Sequence, residues 1–401
     1  MLKSETKARR CRTRCAGWHP CRMRRTRNGL ILMRHRIWQL SWRATRTVLD
    51  CNVANGGTRR KSDSALTLLE FRQASRQSET IRSDRMNSSA SETSIQAHRK
   101  QHYNACVVEA RRVHDDYLIL RVKPDFGRLN FQPGQYTLLG LGEWEPRVDG
   151  VTGGHRDASA SKALIRRAYS AGCPLFDGGQ LVTTSEVAFV EFDVTLVSKP
   201  TDEPPPLTPR LFALRDGDRL FLGPHPHGHY TLDYLKPSED VVFFATGTGE
   251  APHNAMIAEL LRRSHQGRIC ACTCARCWLD LPYLDIHREL ERRYSNYRYL
   301  PLTTREPENV DPADPHYVGK HYLQDFLCSR AFEDQAGWSF EPGHTHVYLC
   351  GSPAMIGLPH KATGGQLVYP EPPGMVEVLV RRGFQVDRPH SIGNVHFEKY
   401  W

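Results

Sequence analysis

The sequence predicts three consecutive parts: a basic N-terminal tail over 1–95, a β domain over 96–236 and an α/β domain over 237–401. Three observations support this division. The first part is rich in arginine and has no apolar period. The second contains many short strand-like runs separated by turn residues, which is typical of a barrel or sandwich. In the third, apolar runs alternate with helical segments, which predicts a parallel sheet.

The positive charge of the chain is concentrated at its beginning. Residues 1–85 contain 21 Lys and Arg against 6 Asp and Glu, a net charge of +15, whereas the rest of the 401 residues carries −5. The overall charge of +10 therefore does not indicate nucleic-acid binding by the whole protein. The composition of residues 1–85 allows too little apolar surface to be buried to offset the loss of chain entropy on folding. A disordered tail, a transit peptide and a true start at Met86 remain alternatives.

Membrane and metal functions are not indicated. No apolar run approaches the roughly 18 residues that a membrane helix needs, so we expect no integral membrane association. Cys270, Cys272 and Cys274 alternate along one predicted strand, where their thiols are too far apart to share one ion. We expect reduced, packed cysteines, no metal site and a cytoplasmic location, in which free thiols persist.

The elements of the β domain are short. Strands are predicted at 106–110, 117–122, 136–139, 187–197 and 219–222, with a short helix at 207–214. The α/β domain begins with the continuous apolar run 241–245, which is typical of a strand buried on both faces. Helices are then predicted at 252–263, 284–294 and 322–332, and strands at 268–274, 297–303 and 346–350. This alternation implies right-handed crossovers.

The first turn of the α/β domain has the composition of a phosphate-binding loop. Gly247, Thr248 and Gly249 follow the first buried strand and open a helix. Glycines let the backbone approach a phosphate, and the helix N-terminus attracts negative charge. A tight turn that merely needs small residues is the alternative.

A second group of polar residues ends a strand of the β domain, namely Arg167, Ala168, Tyr169 and Ser170. A guanidinium can pair with a pyrophosphate, a tyrosine ring can stack on a flat heterocycle and a serine can hydrogen-bond its edge. An ordinary exposed strand end is the alternative.

Two features near the C-terminus also suggest a ligand. Cys350 ends a buried strand, where open α/β sheets form their ligand crevice, although a lone buried cysteine is more often a core residue. The terminal aromatic pair, Tyr400 and Trp401, is expected either to pack or to stack on a ligand.

Six motifs in this order resemble the ferredoxin–NADP⁺ reductase family over about residues 103–401. They are Pro-Gly-Gln-Tyr at 133–136, Arg-x-Tyr-Ser at 167–170, Pro-Leu-Thr at 206–208, Gly-Thr-Gly-x-Ala-Pro at 247–252, Cys-Gly-x-Pro at 350–353 and Glu-x-Tyr at 398–400. The terminal Tyr-Trp is similar to the bacterial branch. The resemblance implies an antiparallel FAD-binding β-barrel followed by an NADP-binding α/β domain.

The resemblance also implies roles for individual residues. Arg167 would hold the FAD pyrophosphate, Tyr169 would stack on the isoalloxazine, and Ser170 would hydrogen-bond near N5. Further FAD contacts are implied for Ala168, Asp193, Val194, Thr195, Pro206, Leu207, Thr208, Tyr400 and Trp401. The implied catalytic residues are Ser170, Cys350, Glu398 and Tyr400, of which Tyr400 would stack on the flavin and move to admit nicotinamide.

For NADP(H), the resemblance implies a turn at 247–249, with Thr248 between the two cofactors, and a nicotinamide pocket shaped by Ser352 and Pro353. Arg276, Thr304 and Arg305 would lie near the 2′-phosphate, although solvated arginines are the alternative for the two cations. Two departures from the family pattern are the long loop 147–163 and Glu250, which places a carboxylate beside the phosphate turn.

The activity implied is FAD-dependent electron transfer between reduced ferredoxin or flavodoxin and NADP(H), by one-electron flavin steps and hydride transfer at N5. The same-fold alternative is an NADPH-dependent flavoprotein reductase that serves another acceptor. A different-class alternative is a nucleic-acid binder that uses the basic tail and carries a vestigial reductase body.

Overall fold

A computed structural model describes residues 92–148, 163–196, 207–388 and 390–400 of the chain. Nearly the whole basic tail, with the proposed start at Met86, lies outside these ranges. So do Pro206, Trp401 and most of the long loop predicted before Arg167.

The first sheet is antiparallel and has six strands. They are β1 (Ala105–His114), β2 (Tyr117–Pro124), β3 (Tyr136–Gly142), β4 (Leu164–Ser170), β7 (Val190–Thr195) and β8 (Arg219–Leu222), in the order β4-β3-β8-β1-β2-β7. A small hairpin joins β5 (Phe176–Asp177) to β6 (Gln180–Leu181). Just beyond β4, the backbone groups of Gly172 and Glu191 exchange two hydrogen bonds of 2.9 Å. The two edge strands therefore meet, which gives the sheet a barrel-like form.

Strand β7 shows how the sequence separates the barrel core from its outer face. Val190, Phe192 and Val194 are buried in the core of the barrel. Because side chains alternate along a strand, Glu191 and Asp193 lie on the opposite face. Both are nevertheless buried, because this face of β7 is covered by the α/β domain.

A helix, α1, covers residues 92–102 and packs beside the end of β3. The Arg99 guanidinium lies 2.6 Å from the Glu145 carboxylate, and the His98 ring stacks on Trp144 with centroids 5.0 Å apart. A short helix, α2 (Thr208–Leu211), precedes β8. It is shorter than the helix predicted over 207–214.

The second sheet is parallel and has five strands in the order β11-β10-β9-β12-β15. They are β9 (Asp240–Thr246), β10 (Ile269–Ala275), β11 (Tyr297–Thr303), β12 (Thr345–Gly351) and β15 (Val395–Lys399). The helices are α3 (Glu250–Arg262), α4 (Leu284–Arg293), α5 (Pro307–Val310), α6 (Leu323–Cys328), α7 (Ala331–Ala336), α8 (Pro353–Ile356) and α9 (Met375–Arg381). A hairpin of β13 (His360–Lys361) and β14 (Leu367–Val368) follows α8. The predicted fold class, an antiparallel β domain followed by a parallel α/β domain, is confirmed.

The single helix predicted over 322–332 is wrong, because the segment forms α6 and α7. The backbone of Arg330 has φ of +64°, which lies in the left-handed region and breaks the helical path. The break turns Phe332 into the core, where its ring lies 5.4 Å from that of Phe244. Burial of this aromatic ring stabilises the interrupted path over one continuous helix.

The three alternating cysteines of β10 are buried on one face of the sheet, in the same apolar cluster. Burial raises the pKa of the Cys274 thiol to about 11, so it stays protonated at neutral pH. Among the described residues, no group of three or more His, Cys, Asp or Glu side chains is arranged to hold a metal. None of the helices in the described ranges is both long and apolar enough to span a bilayer.

Candidate functional site

The four residues predicted to be catalytic meet where the barrel contacts the carboxyl ends of the parallel strands. The Tyr400 hydroxyl donates to Ser170 Oγ at 2.7 Å and lies within hydrogen-bond reach of the Cys350 thiol. Cys350 and Glu398 are opposite each other in the paired strands β12 and β15. The structure therefore brings together residues that are up to 230 positions apart in the sequence.

Burial controls the protonation of this group. It raises the pKa of both the Tyr400 hydroxyl and the Cys350 thiol, so both keep their protons at neutral pH. It also raises the pKa of Glu398 to about 7. Glu398 is thus the one carboxyl of this group of four that can take up or release a proton near neutrality.

The glycine turn after β9 and the end of β12 are packed as closely as their residues allow. A Cβ on Gly249 would lie 2.3 Å from the Cys350 carbonyl oxygen. Thr246 Oγ1 accepts a hydrogen bond of 2.8 Å from the Ser352 amide. Gly351 has φ of +127° and lies against Thr246. The close approach holds residues 247–249 beside Ser352 and Pro353, which are exposed where α8 begins.

The barrel presents a second group of predicted ligand residues at the end of β4. Arg167 is exposed, its Nη1 donates to the Arg166 carbonyl at 2.8 Å, and no described carboxylate pairs with it. Tyr169 hydrogen-bonds through its side chain with Thr208, at the start of α2. Ala168 lies exposed between them. An exposed guanidinium that pairs with no described carboxylate fits an anionic group such as a pyrophosphate.

Other predicted FAD contacts have side chains that point elsewhere. Val194 and Leu207 belong to the core of the barrel. Asp193 accepts a hydrogen bond from Tyr117 and faces the α/β domain. Thr195, at the end of β7, is half-buried. A role for Asp193, Val194 and Leu207 in cofactor binding would therefore have to use their backbone groups.

The predicted 2′-phosphate residues lie together beyond β10 and β11. The Arg305 amide donates to the Arg276 carbonyl at 2.8 Å, and the buried Thr304 hydroxyl donates to the Ala275 carbonyl at 3.2 Å. Arg276 makes two hydrogen bonds of 2.9 and 3.0 Å to Asp280. A phosphate at this position would have to share the Arg276 guanidinium with that carboxylate. The spacing of four residues between Arg276 and Asp280 was the available signal for this pair.

Glu250 does not present a free carboxylate to the phosphate turn. It is buried, and its Oε1 accepts hydrogen bonds from Thr273 at 3.0 Å, from His287 at 3.1 Å and from Tyr299 at 2.7 Å. The Tyr297 hydroxyl lies 2.8 Å from the other nitrogen of His287. The sequence contains no local signal for this network, because its donors come from three different elements.

The chain is similar in sequence to known oxidoreductases. Residues 243–361 match the model of the oxidoreductase NAD-binding domain family. The chain is 28% identical over 229 residues to a flavodoxin/ferredoxin–NADP reductase of Escherichia coli. This alignment covers 57% of this chain and 77% of the relative. It is 26% identical over 237 residues to a ferredoxin–NADP reductase of Pseudomonas aeruginosa, which covers 57% and 76%.

The chain is similar to the ferredoxin–NADP⁺ reductases of bacteria. The family resemblance seen in its motifs is thereby confirmed, and the matched domain is that of an oxidoreductase. A solved ferredoxin–NADP⁺ reductase of Neisseria gonorrhoeae, with bound FAD and NADP, has the same fold with a TM-score of 0.54 and 18% identity, over 74% of this chain and 97% of that one.

The match to the NAD-binding domain begins within β9 and includes the glycine turn and the end of β12. The barrel residues Arg167, Tyr169 and Ser170 lie outside that match. Their assignment rests on the motif order and on the contacts described above.

Proposed function

We propose that this protein is a ferredoxin–NADP⁺ reductase that binds FAD and NADP(H) and transfers electrons between them and a ferredoxin or flavodoxin. The observation that carries the proposal is the hydrogen bond of 2.7 Å between Tyr400 and Ser170. It joins the strand end that presents Arg167 and Tyr169 to the chain end that follows Cys350 and Glu398. A flavin held by the barrel and a nicotinamide held by the α/β domain would meet at this junction.

The barrel side is suited to hold FAD. Arg167 would pair with the pyrophosphate through its exposed guanidinium, and the start of α2 at Thr208 would supply further donors. Tyr169, Ser170 and Tyr400 would orient the ring system. Pro206 and Trp401 stay in the proposal on the motif alone, because they lie outside the described residues.

The α/β side is suited to hold NADP(H). The turn of Gly247, Thr248 and Gly249 would accept the phosphates at the start of α3, and Ser352 with Pro353 would border the nicotinamide. Arg276, Thr304 and Arg305 would contact the 2′-phosphate.

Bound FAD and NADP(H) supply the redox chemistry, since flavins accept single electrons and exchange a hydride with nicotinamide. The protein contributes orientation and the exclusion of water. Ser170, Cys350 and Tyr400 stay neutral at physiological pH. Glu398 is the group of the site that can hold or release a proton near pH 7.

The two alternatives are less well supported. The comparisons do not favour a reductase for another electron acceptor, because the relatives reported above are ferredoxin or flavodoxin reductases. A nucleic-acid binder would rely on the basic tail, which lies outside the described residues. That the protein binds no nucleic acid and is cytoplasmic remains a prediction.

The test is spectroscopic and kinetic. Purified protein is expected to be yellow, to release FAD on denaturation, and to oxidise NADPH faster than NADH with an artificial acceptor. Reduced ferredoxins and flavodoxins are then offered in turn with NADP⁺. A colourless protein that does not take up added FAD would refute the proposal. A flavoprotein that uses NADPH but reduces or oxidises neither partner would refute the ferredoxin and flavodoxin assignment only.

A further inference from the structure

Four buried polar side chains fill the contact between β7 of the barrel and the α/β domain. Tyr283 directly precedes α4. Its hydroxyl oxygen lies 2.9 Å from Glu191 Oε1 and 2.8 Å from Asp193 Oδ1. Tyr117, on β2, donates to Asp193 Oδ2 at 2.9 Å. We call Tyr117, Glu191, Asp193 and Tyr283 the seam cluster. Its members are at most 8% exposed.

The hydrogen atoms of the seam cluster can be counted. Tyr283 has one hydroxyl hydrogen, yet its oxygen lies within hydrogen-bond distance of two carboxyl groups. If both carboxyls were ionised, only one contact could be a hydrogen bond, and the other would place two oxygen acceptors together in a buried position. Both contacts are satisfied if one carboxyl is protonated and donates to the Tyr283 oxygen.

The environment decides which carboxyl carries the proton. Arg121 Nε lies 2.7 Å from Glu191 Oε2, so Glu191 is the carboxylate of an ion pair with Arg121. Glu191 Oε1 then accepts the Tyr283 hydrogen. No described ion pair includes Asp193, and the anionic Glu191 is its neighbour. Asp193 is therefore the carboxyl that keeps a proton.

The titration behaviour expected from the surroundings agrees with this count. Burial raises the pKa of Asp193 to about 8, and the charges of Glu191 and Glu250 act in the same direction. The hydrogen bonds from Tyr283 and Tyr117 oppose the shift. Burial also raises the pKa of both tyrosines well above the ordinary value, so they remain hydroxyl donors over this pH range.

We propose that Asp193 is a neutral carboxylic acid in the folded protein at neutral pH, and that it is the positioning residue that fastens β7 of the barrel to the α/β domain through Tyr283. This inference stands on the seam cluster itself and does not depend on the proposed electron-transfer function. Hydride transfer between rings held by the two domains would, however, depend on the same contact.

Ionisation of Asp193 would weaken the seam. The Tyr283 hydrogen cannot serve two carboxylates, and a second buried negative charge would face Glu191. The folded-state pKa of Asp193 lies above that of an aspartate in an unfolded chain, about 3.9. Protonated Asp193 therefore stabilises the fold fully below about pH 4, and this contribution is lost as the pH rises to about 8.

The test compares the wild type with Asp193→Asn in the flavin-loaded, full-length protein. An asparagine amide can donate to the Tyr283 oxygen at every pH, while its carbonyl accepts from Tyr117. We expect the melting temperature of the wild type to decrease as the pH is raised from about 5 to about 9. Over this range the decrease should exceed that of Asp193→Asn by about 5 °C or more. Asp285→Asn is the matched control, because this carboxylate is exposed at the start of α4. The melting temperature of Asp285→Asn should depend on pH in the same way as that of the wild type.

A second measurement does not require a variant that folds. Infrared spectra of the wild type in D₂O at pH 7 should show the carbonyl band of a buried carboxylic acid. Because Glu398 contributes a band of its own, the Asp193 band is the part that Asp193→Asn removes. Carbon-13 NMR of wild-type protein with labelled aspartate should show one carboxyl that titrates near pH 8. Absence of such a band or resonance would overturn the proposal. Parallel pH profiles for the wild type and Asp193→Asn would overturn it as well.

Discussion

Replacement of Gly249 by alanine tests whether the glycine turn and the end of β12 are held by steric contact. Gly249 has φ of −62° and ψ of −11°, which alanine adopts without strain. The added Cβ would lie 2.3 Å from the carbonyl oxygen of Cys350, 2.6 Å from the carbonyl carbon of Cys350 and 3.0 Å from the Gly351 nitrogen. These are backbone atoms of a buried strand, so a side-chain rotation cannot relieve the contact.

The cost follows from this geometry. An ordinary contact would require the turn and β12 to separate by about 1 Å, and overpacking of this kind costs about 1–3 kcal/mol. The same shift moves Cys350, and with it Glu398, which is opposite in β15. We therefore expect Gly249→Ala to lower the free energy of unfolding by about 1–3 kcal/mol. We also expect it to lower the turnover of the flavin-loaded protein.

Gly343→Ala is the matched control, because its φ is outside the left-handed region and a Cβ there meets no atom within 4 Å. Its free energy of unfolding should stay within about 0.5 kcal/mol of the wild type. The assay is urea unfolding followed by tryptophan fluorescence, with turnover measured in parallel. If Gly249→Ala is as stable and as active as Gly343→Ala, the steric reasoning is wrong.

Three further predictions concern the ligand residues. Arg167→Ala should lose a charge-assisted hydrogen bond of about 1.5–3 kcal/mol and retain less FAD, and full FAD content with unchanged turnover would contradict that role. Removal of both Arg276 and Arg305 should raise the KM for NADPH and leave the KM for NADH nearly unchanged, whereas equal effects on both coenzymes would show that these arginines do not bind the 2′-phosphate. Tyr400→Ser should tighten nicotinamide binding and reduce discrimination between NADPH and NADH, and an unaltered preference measured by coenzyme titration would mean that Tyr400 only packs.

The order of elements and the local motifs were decided by the sequence alone. Short strand-like runs and turn residues predict the β domain, and the continuous apolar run of β9 predicts a parallel sheet, because these signals depend on neighbouring residues. Arg167, Ser170, Gly249 and Cys350 were identified for the same reason, since each stands at the end of a strand or in a turn whose position can be derived from local composition.

The partners of the polar groups were decided only by the tertiary structure. Glu250 stands beside a phosphate turn in sequence, yet folding buries its carboxylate against donors from β10, β11 and α4. Likewise, nothing in the local sequence distinguishes Asp193 from its neighbours in the strand. Its partner Tyr283 is 90 positions later in the chain and contacts it only in the fold. Burial and charge pairing depend on which elements meet in space. A local pattern can therefore predict a buried position, but the protonation state of Asp193 follows only from its neighbours in the fold.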